Sequence, residues 1–153
     1  MASSATYPLP AFHFKVTFNG LPGSETAIDS QFSEVSGLMA EITTEELQEG
    51  GENRFVHKLP VKAKFPNLVL KRALFPVSSS LMDWAKNAVY NFDISPCSVL
   101  VSLLNEKHEP ARSWNFKSAY PVKIQISDFK ATDNAVVIET LELAYDYARE
   151  VTQ

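Results

Sequence analysis

The chain has a single cysteine, Cys97, among 153 residues. No disulfide can therefore staple it internally, and a multi-thiolate metal site is excluded. Histidine is almost as sparse. His13, His57 and His108 fall on the polar side of a strand pattern or in a turn, with no second histidine or cysteine at metal-ligand spacing. Basic charge is in deficit: 14 Lys plus Arg stand against 18 Asp plus Glu, a net charge of -4. That balance argues against holding nucleic acid by phosphate neutralisation. No apolar run approaches the roughly 18 residues that cross a bilayer. The start, MASSATYPLPAFHF, has no basic stretch leading into an apolar one. The expectation is a protein with no signal peptide and no membrane anchor, cytoplasmic when made. Gly-x-Ser-x-Gly is missing too, and the serines before Leu81 are accounted for by a helix start.

What is present is a set of alternating patterns. With 45% hydrophobic and 21% charged residues, the chain is sized for one domain that buries roughly 70% of its unfolded surface. Residues 1–10, with Pro8 and Pro10, read as a flexible N-terminal arm, and residues 11–153 as the domain. Phe12, Phe14, Val16 and Phe18 share one face of a first strand. Leu38, Ala40 and Ile42 alternate with Met39, Glu41 and Thr43 in a long strand whose far end turns polar. Leu68, Leu70 and Leu74 face one way in NLVLKRAL. Cys97, Val99, Val101 and Leu103 share another face, which makes the thiol a buried, inert one. Further strands are expected in ARSWNFKSAY, with Trp114 and Phe116 on one face, and in PVKIQI, with Val122, Ile124 and Ile126. NAVVIETLELAYDYARE is ambiguous in period, and its Val and Thr content favours strand. One helix is expected, since Leu81, Trp84, Ala85, Ala88 and Phe92 recur at helical spacing after Ser80 and Asp83, which resemble a capping box. Trp84, Phe116 and Leu103 are expected in the core. The sum is a mostly antiparallel β domain with one packed helix.

Glycine is scarce, five in all, yet Gly50 and Gly51 are adjacent in EGGENRFVHKLP. The stretch reads as the tip between two extended arms. Its carboxylates, Glu45, Glu46, Glu49 and Glu52, lack the alternating oxygen ligands of a calcium loop and the pocket a catalytic acid needs. A phosphate cradle fails because Glu49 and Glu52 oppose an anion and no helix follows. Lys62, Lys64, Lys71 and Arg72 form a basic stretch that is either a solvated strand face or a patch for an acidic neighbour. No candidate for catalysis, metal or cofactor binding survives, so the expectation is a structural or binding protein and not an enzyme.

Several stretches in order resemble the tail-tube (inner tube) proteins of contractile phages and of phage-tail-like contractile injection systems. They are FSEVSGL at 32–38, EGGEN at 49–53, KLP at 58–60, NLVLKRAL at 67–74, LLNE at 103–106, the run from Trp114 to Lys123, SDF at 127–129 and IETLELAY at 138–145. Ala73 stands where a glycine is expected, and Lys130 where small or polar residues are commoner. The resemblance implies an antiparallel β-barrel or sandwich with a packed helix and a long protruding hairpin. It further implies hexameric rings stacked into a hollow tube, which a contractile sheath drives through a target envelope. Partners would be the chain itself, the sheath, baseplate and terminal cap proteins, and DNA or protein cargo in the lumen, within a virion or a released extracellular particle. Alternatives are a soluble ring that carries effectors in its bore, as in type VI secretion, or a baseplate-proximal tube protein. On this reading Glu45, Glu46, Glu49, Gly50, Gly51, Glu52, Asn53 and Arg54 form a ring-to-ring contact, and Lys62, Lys64, Lys71 and Arg72 the complementary basic face.

Overall fold

A computed structural model describes residues 14–21, 32–48, 50–51, 56–76, 79–132 and 135–151. The proposed N-terminal arm and His13 lie outside them. The elements run β1 (Phe14–Asn19), β2 (Glu34–Ser36), β3 (Glu41–Leu47), β4 (His57–Lys64), β5 (Leu68–Ala73), α1 (Ser80–Asn91), β6 (Cys97–Leu104), β7 (Pro110–Ile126), β8 (Ile138–Ala144) and β9 (Tyr147–Val151). Strand order in the main sheet is β1-β6-β7-β8-β5-β2, with β9 also on β7, while β3 and β4 form a separate pair. Every pairing is antiparallel.

The 17 residues of β7 belong to both halves of this sandwich. Its first part pairs with β6 on one side and β9 on the other; its second part pairs with β8. Two irregularities let it turn. Ser118 has φ 55, and there the register with β6 slips by a residue between Cys97 and Val99. A second slip, against β8, falls between Pro121 and Lys123. Extra residues of this kind bend and twist a strand. They also shift its phase: Phe116, Ala119 and Pro121 are buried. Val122 and Ile126, expected inside with Ile124, are exposed, while Ile124 packs against the core. The two strands expected here are one.

The core fills with alternate residues: Val16 and Phe18 on β1, Leu68 and Leu70 on β5, Val99 and Val101 on β6, Leu141 and Leu143 on β8. Leu103 stops short of it, only partly buried at the open end of β6, and Leu74, past the end of β5, is exposed. The ambiguous C-terminal segment is strand, divided into β8 and β9 at Tyr145 and Asp146. Cys97 is buried, and desolvation raises its thiol to about 11.

Helix α1 presents Leu81, Trp84, Ala85 and Ala88 to the sandwich. Trp84 meets Phe18 edge-on at 6.2 Å and donates its indole N–H to the Ser95 carbonyl at 2.7 Å. The cap is Ser79, whose hydroxyl accepts from the Met82 amide, so Ser80 begins the helix instead of capping it. Phe92 is the C-cap, left-handed at φ 55 and 84% exposed, off the buried face that its spacing suggested.

Among the described residues, one charged pair lies inside. Arg72 sits on the same face of β5 as Leu68 and Leu70, directly across the ladder from Glu139. Its Nε donates to Glu139 Oε2 at 2.9 Å, with both side chains almost fully buried. Its other guanidinium end reaches Ser79 Oγ at 3.1 Å, and the cation lies near the rings of Phe32 and Phe75 at 5.4 and 5.7 Å. The sheet is thereby tied to the first turn of α1.

Trp84→Ala or Phe116→Ala is expected to cost about 3–5 kcal/mol in urea unfolding, the range for deleting a buried aromatic. Arg72→Ala is expected to cost about as much, because it strands a buried carboxylate, whereas the double change Arg72→Met with Glu139→Leu recovers most of the loss. Native Cys97 is expected to resist a thiol reagent at pH 8 and to react on unfolding. Since its folded pKa is raised, the neutral thiol favours the native state below the unfolded value of 9.0, and this contribution is lost as pH rises through about 11.

Candidate assembly surface

The hairpin of β3 and β4 pairs, among the described residues, only with itself. Every residue of both strands is exposed except Thr43, which is half-buried. The register places Glu41 opposite Lys64 and Glu46 opposite Lys58, two cross-strand pairs of opposite sign. Glu45 faces Leu59 and Lys62 faces Thr43, so neither charge has an opposite one directly across. Between Thr43 and Thr44 the register slips, leaving Val61 extra on β4 beside Pro60. Proline has no N–H for a ladder and tends to edges and bulges. The Thr43 hydroxyl donates to the Lys62 carbonyl at 3.1 Å across this gap.

Apolar side chains stand among these charges: Ile42 is 62% exposed and Val61 58%, with Leu47 and Leu59 close behind. A lone two-stranded hairpin is marginal in water. At the tip Gly51 has φ +95, a conformation other residues adopt at a cost, while Gly50 lies outside that region. Open space surrounds both glycines. Glu49, Glu52, Asn53 and Arg54 lie outside the described residues.

The expected basic face divides. Lys62 and Lys64 are on the exposed hairpin. Lys71 lies on the outer face of β5, 3.9 Å from Glu34. Arg72 points the other way and is buried against Glu139, so it is no part of an exposed patch. The alternation of β5 carried that signal, since Arg72 shares parity with Leu68 and Leu70, as Glu139 does with Leu141 and Leu143.

At the hairpin's root, residues that sequence reasoning missed come together. One leg leaves β2 at Gly37, which has φ +96; a Cβ there would lie 2.3 Å from the Asn67 carbonyl oxygen in the other leg. Asn67 donates to Glu142 Oε1 at 2.8 Å. The Tyr145 hydroxyl donates to the Pro66 carbonyl at 2.7 Å, and its ring lies 6.1 Å from that of Phe65. Beside this root an open apolar groove of about 350 Å³ is lined by Phe14, Val35, Leu38, Val101, Leu103 and Trp114. A second exposed apolar set, Val89, Tyr90, Phe92 and Ile94, marks the end of α1. Among the described residues no group of three or more His, Cys, Asp or Glu is placed to hold a metal ion. No helix among them is long and apolar enough to cross a membrane.

No curated protein matches the chain. A chain in the cryo-EM structure of the anti-feeding prophage baseplate is 29% identical with a TM-score of 0.81, over 95% of this chain and 97% of that one. A chain in the structure of the anti-feeding prophage cap, a tube terminating cap, is 30% identical with a TM-score of 0.79 over 100% of both. Hcp1 from Flavobacterium johnsoniae shares the fold at 13% identity and a TM-score of 0.53, over 91% of this chain and 94% of that one. The family model for T4-like virus tail tube protein gp19 matches residues 10–149. An exposed hairpin on a β-sandwich fits that match, and the chain belongs to the T4-like virus tail tube protein family, structural proteins and not enzymes.

Proposed function

We propose that the protein is the inner-tube protomer of a contractile injection system. Six copies close a ring, rings stack into a hollow tube, and a contractile sheath drives the tube through a target envelope to deliver DNA or protein. The observation that carries this reading is the β3–β4 hairpin, an element with apolar and charged groups exposed on both strands and no cover from the described residues of its own protomer. Such an element gains its stabilisation from a neighbour. Glu45, Glu46 and the tip make the contact to the next ring, and Lys62, Lys64 and Lys71 supply the opposite sign, so that rings find their register by charge complementarity. Partners of the same kind as the tube's relatives follow: a sheath outside it, a baseplate at one end and a terminating cap at the other, the last two represented among the structures this chain is similar to. The chain assembles in the cytoplasm and ends as part of a virion or an extracellular particle.

Electron microscopy of purified protein is expected to show long tubes; loose rings alone would favour a soluble carrier of effectors. Glu45→Lys and Gly51→Val are each expected to leave the circular dichroism of the protomer unchanged and to abolish or shorten the tubes. Full-length tubes from both variants would show that the hairpin merely turns the chain.

A further inference from the structure

The hairpin joins the sandwich through two short legs, residues 37–40 and 65–67. β2 pairs with β5 below the joint, up to Ser36 opposite Val69, and β3 pairs with β4 above it, from Glu41 opposite Lys64. The four strands are thus one long ribbon interrupted in both legs at the same level. A ribbon broken in this way keeps its two strands together but folds about the break, and only contacts from a third element stop that motion.

The legs are first locked to each other. Gly37 lies so close to the Asn67 carbonyl that any side chain would collide with it, and a tight turn closes beside it, with the Met39 amide donating to the Gly37 carbonyl at 2.8 Å. The third element is the junction of β8 and β9. Tyr145 stands there with its hydroxyl on the Pro66 carbonyl at 2.7 Å and its ring against Phe65. The ring also meets Phe116 in a T-shaped contact at 4.8 Å, and Phe116 is one of the most deeply buried residues of the core. Tyr145 therefore spans from a rigid interior to the joint. The Asn67 to Glu142 hydrogen bond adds a second, exposed tether from β8. A tyrosine hydroxyl holds its proton at neutral pH in any case, and partial burial raises this one above its ordinary value.

We infer that Tyr145 is a positioning residue that braces this joint and holds the β3–β4 hairpin at one angle to the sandwich. The inference rests on the tube reading for its purpose, since a hairpin must arrive at a fixed angle if rings are to stack in register. Its physical content is independent of assembly: the brace sets an orientation within one protomer.

Spin labels at Lys58→Cys on the hairpin and Lys86→Cys on α1, with buried Cys97 left in place, report that angle in soluble protein before assembly. The parent is expected to give one narrow distance distribution. Tyr145→Phe keeps the ring and removes the hydrogen bond, a loss that shifts an orientation equilibrium by roughly five- to tenfold; the distribution is expected to broaden while circular dichroism stays unchanged. A distribution as narrow as the parent's would overturn the inference. Hydrogen exchange in the unmodified protein gives a test that needs no variant: amides at 39–42 and 62–65 are expected to be protected above those at the tip, and exchange as fast as the tip would also overturn it. If the distribution broadens while both Glu45→Lys and Gly51→Val still build full-length tubes, the brace stands and the hairpin-stacking reading falls.

Discussion

A strand's N–H and C=O groups need partners wherever they are buried, and β7 finds them by serving two sheets in succession. Over its first part it lies between β6 and β9, and over its second it pairs with β8. The slips at Ser118 and near Pro121 make this possible, because a flat strand of this length would leave one sheet before the other could curl over the core. Much else follows from the bend. It sets the two layers face to face and turns Phe116 and Ala119 inward beside Val99 and Cys97. It also leaves one side of the sandwich for α1, whose main contacts outside itself are with β7.

Where a residue's face depends only on its neighbours in sequence, the sequence showed it. Val16 and Phe18, Leu68 and Leu70, and Val99 and Val101 all lie inside as alternation requires. The failures share a cause. At Val122 and Ile126 the period is right but its phase is reset by bulges, which depend on how β7 meets β6 and β8. At Arg72 the parity is right, but the meaning of a charge on an apolar face depends on Glu139, 67 residues further on. At the helix start, adjacent serines fit the same pattern, and the Arg72 guanidinium sits against Ser79. The hairpin was legible, since its strands turn polar and its tip carries paired glycines. The joint at its base was not, because Gly37 is constrained by Asn67, thirty residues away in another leg.

Two kinds of stabilisation are kept apart in this molecule. The sandwich holds itself, with apolar alternation on every layer and a charged pair whose partners are satisfied internally. The hairpin has cross-strand pairs and a ladder but, among the described residues, no layer behind it. The core therefore owes nothing to the hairpin's exposed side chains, which lie apart from the packed layers.

That exposure carries a hazard, and the bulge at Val61 bears on it. A ladder whose edges are unpaired, as this one's are among the described residues, is a template on which an extended chain can add itself, and growth of that sort has neither length control nor shape. Pro60 offers no N–H, and the extra residue beside it kinks the edge of β4 out of the straight line that an incoming strand would need. Backbone pairing with strangers is therefore interrupted midway along the hairpin, while its side chains stay available. Along β4 the element is thus a poorer template for an added strand than its exposure alone would make it.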